Sequence, residues 1–133
     1  MNSTDTNEQK VDLHIHSTAS DGSASPSEIV SLAMSIGLRG VALTDHDTVS
    51  GLDEFIDAAA GKDITAIPGL EVSSLLFNKE VHILGFFIDH RNAELDAFLK
   101  TIRASRDARN TVILQKLQAM GYQISPEELM EVA

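Results

Sequence analysis

His14 and His16 stand two residues apart in VDLHIHSTASDG, and Asp21 follows five residues after the second. Alternate residues of an extended strand share a face, with Cα atoms about 6.6 Å apart. Two imidazole nitrogens can converge from there on one cation, each at about 2.0–2.1 Å. Leu13 and Ile15 would then point to the opposite face, where helices can cover them. Asp21 sits in the turn Ser20-Asp21-Gly22 and can swing back over the strand end, with Gly22 supplying a permissive backbone. The chain has no cysteine, so a metal here must be held by imidazoles and carboxylates.

Residues of the same types recur downstream. Asp45, His46 and Asp47 follow the apolar run GVAL after one threonine, Glu71 follows IPGL, and His82 is the second residue of the run VHILGFFI. Each alone has a plain structural explanation. A strand can carry two histidines, turns are rich in aspartate, and a histidine in an apolar strand is usually a core residue with a hydrogen bond. Their recurrence in order at successive strand ends points to a polynuclear metal site. His82 fits this rule less well, because it lies nearer the start of its strand. His90, in DHRN, reads as an exposed turn residue outside the set.

The elements that must position these residues are legible from period and punctuation. Residues 11–16 alternate as a short strand. Ser25-Pro26-Ser27-Glu28 is a helix start, with Ser25 as N-cap, Pro26 at the first position and Glu28 at the third. Ile29, Leu32, Ala33 and Ile36 form an apolar stripe and Gly37 ends the helix. Residues 40–43 form a strand, and Ser50 can cap a second helix with the stripe Leu52, Phe55, Ile56 and Ala59, stopped by Gly61. Residues 64–67 form a third strand closed by PGLE, and residues 81–88 a fourth. This alternation reads as βαβ units around a parallel sheet, whose ligands bind at the carboxyl ends of its strands. Residues 92–120 follow as one long helical pattern or two shorter ones, with the stripes Leu95, Phe98, Leu99, Ile102 and Ile113, Leu117, Met120. Gly121 ends it, and Ser125-Pro126-Glu127-Glu128 opens another helix that the sequence leaves after two turns, the pattern of a chain cut short.

The chain has 133 residues, 43% of them apolar, enough for one domain with a core. Residues 1–10 are polar and unpatterned, a loose tail. A net charge of −10 disfavours a broad basic surface for nucleic acid, but not an anionic substrate held through cations. No apolar run approaches the roughly 18 residues of a membrane span, and the first residues hold no apolar signal core, so the expected location is the cytoplasm.

The four segments DLHIHSTASDG, GVALTDHDT, IPGLEVS and VHILGFFI resemble the first motifs of the PHP (polymerase and histidinol phosphatase) family, over about residues 11–90. The resemblance implies an α/β fold, the first part of a distorted (β/α)7 barrel, with residues 91–133 as the start of a helical insertion covering the substrate and the remainder of the barrel absent. It implies that His14, His16, Asp21, His46, Glu71 and His82 ligate two or three divalent ions, with Glu71 bridging two of them. It casts Asp45 as a partner that orients an imidazole from behind. It also assigns further ligands, a His and an Asp-x-His pair, to later motifs that this sequence does not hold.

The activity so implied is metal-dependent hydrolysis of phosphoesters, with a metal-bound water as nucleophile. Mixed imidazole and carboxylate donors suit manganese, iron or zinc better than magnesium alone. The wording of the motifs is most similar to the small phosphatases acting on nucleoside 3′,5′-bisphosphates or the 5′ ends of short RNA. A histidinol-phosphatase-like enzyme, the polymerase-linked module, and a non-catalytic metal-binding fragment completed by another chain are the alternatives, and a homo-oligomer is one way to complete the site. Arg103, Arg106 and Arg109, spaced by three on one helix face, are candidates to hold a second phosphate, against the plainer reading of a solvated face.

Overall fold

The computed structural model describes residues 10–130 and divides into two compact units, one ending at His90 and one beginning at Arg91. The expected tail, apart from Lys10, and the residues after 130 lie outside the described residues.

The first unit is built on a curled four-stranded sheet in the order β1-β2-β3-β4: β1 (Val11–Ile15), β2 (Gly40–Leu43), β3 (Thr65–Leu76) and β4 (Lys79–Phe86). The strands β1, β2 and β3 are parallel, joined by helices α1 (Pro26–Ser35) and α2 (Leu52–Ala59). All four residues of β2 are buried, as expected of a central parallel strand covered on both faces. The core is formed by Ile29, Val30 and Ala33 of α1, Val41 and Leu43 of β2, Leu52, Phe55 and Ala59 of α2, and Ile64.

Helix α1 starts as its sequence dictates. Ser25 accepts from the Glu28 N–H, the Glu28 carboxylate accepts from the Ser25 N–H at 2.7 Å, and Pro26 follows in the first turn. Its buried face differs from the expected stripe. Pro26, Ile29, Val30 and Ala33 are buried, whereas Leu32 and Ile36 face outward. Two overlapping stripes share Ile29 and Ala33, and the one containing Val30 meets the sheet. Helix α2 also departs from expectation: its N-cap is Gly51, without a side-chain cap, and Ser50 instead bonds Thr48. On β1, Ile15 packs against the core as expected, but Leu13 is largely exposed, because β1 is an edge strand of this sheet.

The largest correction concerns β3 and β4. The expected stop at PGLE is not a stop: β3 runs on through Pro68 and Gly69 to Leu76. It pairs with β2 as far as Pro68 and, from Gly69 onward, with β4 in antiparallel register. Gly69 sits at this change of partner. A Cβ there would lie 2.8 Å from Thr44 Cγ2, 2.9 Å from the Leu43 carbonyl oxygen and 3.1 Å from that of Gly85, so only glycine admits the approach. The fourth strand is therefore the second arm of a hairpin and not the product of a crossover. Its two-residue turn is Phe77-Asn78, both at positive φ (49° and 62°), the backbone that matches strand twist in tight hairpins.

The second unit is helical. A single 27-residue helix, α3 (Ala93–Ala119), replaces the alternative of two shorter ones, with the Asn92 side chain accepting from the N–H groups of Glu94 and Leu95. Gly121 (φ 96°) ends it, with the Tyr122 N–H bonded to the Leu117 carbonyl. Helix α4 (Pro126–Met130) begins with the same reciprocal Ser125–Glu128 bonds as α1.

Candidate metal centre

In a parallel sheet the strand ends that carry ligands are the carboxyl ends. His14 lies on β1 and His16 just past it, and Asp45 and His46 just past β2. Glu71 stands inside β3, opposite His46 through an isolated parallel bridge. His82 pairs with Ser73 near the start of β4. Because β4 runs antiparallel, its beginning lies at the same end of the sheet as the C-terminal ends of the other strands. The hairpin thus removes the misfit that His82 presents to a purely parallel reading.

The side chains converge on Glu71. Its Oε2 lies 2.9 Å from His14 Nε2, 2.9 Å from His16 Nε2 and 3.7 Å from His46 Nε2, while its Oε1 lies 2.9 Å from His82 Nδ1. Asp21 reaches the other side, with Oδ1 3.0 Å from His16 Nδ1 and Oδ2 3.7 Å from His46 Nε2. The four imidazoles form a row, with ring centroids 5.1, 4.5 and 4.9 Å apart from His14 through His16 and His46 to His82. Three overlapping groups follow, each with donor atoms close enough to share an ion: His14-His16-Glu71, His16-Asp21-His46 and His46-Glu71-His82.

The chemistry of this donor set fits divalent metal. Glu71 is only 5% exposed, and a buried carboxylate needs a positive partner. The Nδ1 atoms of His16 and His46 are buried and make no hydrogen bond. The His16 atom lies 3.0 Å from Asp21 Oδ1. A cation shared with Asp21 would take the lone pair of His16 Nδ1, while His46 presents its other nitrogen, Nε2, to Asp21 and Glu71. Electrostatics favour ionised carboxylates. Burial works to raise the pKa of Glu71, but the hydrogen bond from His14, the charge of His46 and the hydrogen bond from His82 hold it below the usual range. Burial likewise opposes ionisation of Asp21, and the charges of His16 and His46 with the Ser20 hydroxyl outweigh it. For His82 burial disfavours protonation, while Glu80 and Glu71 together push its pKa above the ordinary value.

Asp45 has a different role from the one expected of it. It is buried, and it accepts from the Ser17 N–H at 2.7 Å, the Ser17 hydroxyl at 2.7 Å and the Ser20 hydroxyl at 2.6 Å, not from an imidazole. It therefore anchors the 17–22 loop, which carries Asp21. Gly22 closes that loop, its N–H bonded to the Ser17 carbonyl at 2.9 Å. A Cβ on Gly22 would overlap the His16 carbonyl and come within 2.8 Å of the Ser17 nitrogen. Its requirement is thus close approach and not a positive φ.

Asp47, the second aspartate of TDHD, is fully buried in a left-handed backbone (φ 53°). Its N–H bonds the Glu71 carbonyl at 2.9 Å, its carboxylate accepts the Ser73 N–H at 2.8 Å, and the Glu71 N–H bonds the Asp45 carbonyl at 3.1 Å. These bonds fix the backbone on both sides of Glu71. Sequence reasoning assigned Asp47 no role, although a second acid in so short a motif was a signal. His90 is outside the cluster but is not an exposed turn residue: its side chain is 16% exposed and lies 3.0 Å from Asp53, in the first turn of α2. Arg103, Arg106 and Arg109 lie on α3 in the second unit, the first two partly buried.

The PHP domain profile matches residues 12–125. Over 113 residues the chain is 41% identical to a 5′-3′ exoribonuclease of Haemophilus influenzae, covering 85% of this chain and 41% of that protein. It is 40% identical over 111 residues to a 3′,5′-nucleoside bisphosphate phosphatase of Chromobacterium violaceum, covering 84% and 39%. The chain thus spans less than half the length of the curated relatives it matches. Among solved structures, a proposed metal-dependent phosphoesterase of Bifidobacterium adolescentis superposes with a TM-score of 0.83 at 31% identity, over 94% of this chain and 44% of that one. A Chromobacterium violaceum amidohydrolase with bound sulfate and no metal superposes with a TM-score of 0.77 at 40% identity, over 84% and 39%. With a profile that spans most of its length and a half-barrel sheet shared with these structures, the chain belongs to the PHP domain family.

Proposed function

We propose that the protein is a metal-dependent phosphoesterase that removes phosphate from small nucleotides, a nucleoside 3′,5′-bisphosphate or the 5′ end of a short RNA. The observation that carries this reading is the set of three overlapping His/carboxylate groups joined through Glu71. His14, His16, Asp21, His46, Glu71 and His82 hold two or three divalent ions, with manganese the best match to the donors. When bound, such ions acidify a water and offset the charge of a phosphoryl group.

The chain's own residues supply the arrangement. Glu71 turns one oxygen to His14, His16 and His46 and the other to His82, which suits a bridge between two ions. Asp21 stays ionised and closes the His16–His46 side. Asp45 and Asp47 hold the backbone beneath. Residues 11–90 act as the metal-holding part of a barrel in the cytoplasm, and residues 91–133 begin an insertion. Arg103, Arg106 and Arg109 are proposed to grip a second phosphate. The names of the Haemophilus and Chromobacterium relatives support a nucleotide as substrate.

The test is elemental analysis after manganese reconstitution and gel filtration, followed by phosphate release from a nucleoside 3′,5′-bisphosphate and from histidinol phosphate. At least two ions per chain, lost in His16→Ala, with preference for the bisphosphate, is the expected result. Retention of no metal, or preference for histidinol phosphate, overturns it. An Arg106→Ala change that leaves KM for the bisphosphate unaltered removes the arginine assignment.

A further inference from the structure

We infer that Glu80 is a positioning residue for His82: it holds the ring by Nε2 and so turns Nδ1 toward the ion shared with Glu71. The inference rests on the metal-centre reading above and adds to it a residue and a coordinating atom.

Spacing on β4 puts the two residues on one face, and the register with β3 makes it the face of Glu71. Ser73 pairs with His82 and Leu75 with Glu80, so positions 71, 73 and 75 of β3 share one face with 84, 82 and 80 of β4. Glu80 therefore stands beside His82 on the face that carries Glu71. Its Oε1 lies 3.4 Å from His82 Nε2, while Nδ1 of the same ring lies 2.9 Å from Glu71 Oε1. The cross-strand neighbour of Glu80 is Leu75, which offers no competing side-chain donor. Among the described residues, His82 is the hydrogen-bond partner of the Glu80 side chain.

The side chains of His16 and His46 are 19% and 15% exposed and are held by packing, whereas His82 and His14 are 37% and 50% exposed on the two edge strands; of these two, His82 has a carboxylate, Glu80, within reach of its second ring nitrogen. A neutral imidazole carries one proton, and the partner of one nitrogen decides what the other can do. A carboxylate that accepts Nε2–H leaves the Nδ1 lone pair free for metal and raises its basicity. The orientation is opposite to that of His14, which points Nε2 at Glu71. Glu80, and not Asp45, is thus the carboxylate that stands behind an imidazole.

The test compares the intact protein with Glu80→Ala and Glu80→Gln by chelator competition for bound zinc, together with 15N spectra of the zinc-loaded histidines. Glu80→Ala is expected to weaken retention of one ion by about 10- to 100-fold. The Gln carbonyl still accepts Nε2–H, so Glu80→Gln recovers most of that loss. The melting temperature of the metal-free protein stays unchanged in both, since a side chain more than half exposed adds little to the fold. In the unaltered protein, His82 shows a protonated Nε2 and a coordinated Nδ1. Zinc held as tightly by Glu80→Ala as by the unaltered protein, or His82 coordinated through Nε2, overturns the inference and leaves the metal centre standing. An unaltered protein that binds no zinc overturns both.

Discussion

Replacing Asp45 by alanine tests whether the loop that carries Asp21 is held from below. The carboxylate is 2% exposed and accepts from the Ser17 N–H, the Ser17 hydroxyl and the Ser20 hydroxyl at 2.6–2.7 Å. Ser17 is itself fully buried, so in Asp45→Ala its N–H has no replacement partner and no route to water. Losing bonds to a charged acceptor and stranding one or two buried donors costs on the order of 3–5 kcal/mol. That is a large share of the roughly 5–15 kcal/mol that holds a domain together. Asp45→Asn separates charge from geometry. The amide oxygen can replace Oδ1 and keep the Ser17 N–H and Ser20 hydroxyl bonds. The amide NH2 then faces the Ser17 hydroxyl, which can rotate to accept, so the cost falls to about 1 kcal/mol. Urea unfolding of metal-free protein, with equal slopes for all variants, measures both. A loss below about 1 kcal/mol in Asp45→Ala, or equal losses in the two variants, would refute the reasoning.

Three other changes probe the frame around the site. Gly69→Ala places a methyl against the Leu43 and Gly85 carbonyls, backbone atoms of two neighbouring strands. It should cost at least about 2 kcal/mol in the same assay, whereas a neutral effect would mean the strands separate freely. Phe55 of α2, fully buried in the core, should cost about 3–5 kcal/mol on truncation to alanine, read as a lowered denaturation midpoint. The Glu28 carboxyl is held below its ordinary 4.5 first by the Ser25 N–H and then by the Ser25 hydroxyl. A depressed carboxyl adds stability above its unfolded pKa and loses it as pH falls through its folded one. The stability gap between the native protein and Glu28→Gln should therefore be full at neutrality and close in acid, and a gap constant down to about pH 3 would contradict the capping assignment.

How far these features were legible depends on whether local chemistry or a distant partner decides them. Ser25-Pro26-Ser27-Glu28 is read correctly because both halves of its capping bonds lie within one turn. His14 and His16 fall together because alternation on a strand is a local property. Pro68-Gly69 was misread because in isolation those residues terminate strands. Here they mark the point where β3 changes partner, and what demands the glycine is Leu43 and Gly85, distant in sequence. The α1 stripe was ambiguous for a similar reason: Val30 and Leu32 are both apolar, and only the position of the sheet selects between them.

The hardest feature to read was strand direction, and it governs the site. Taken as parallel, β4 would put its first residues at the wrong end of the sheet, with His82 far from Glu71 and Glu80 an ordinary surface acid. The signal that β4 returns antiparallel is Phe77-Asn78, which lacks the glycine that marks most two-residue turns. Once the hairpin is closed, Ser73 meets His82 and Leu75 meets Glu80. Glu80, two residues before His82 on the same strand, then lies on the face that also carries Glu71. The family resemblance casts Asp45, beside His46 in sequence, as the carboxylate behind an imidazole. The adjacent residue on a strand end points away from its neighbour, however, and the residue two places off points with it. That geometry turns Asp45 toward Ser17 and places Glu80 beside His82.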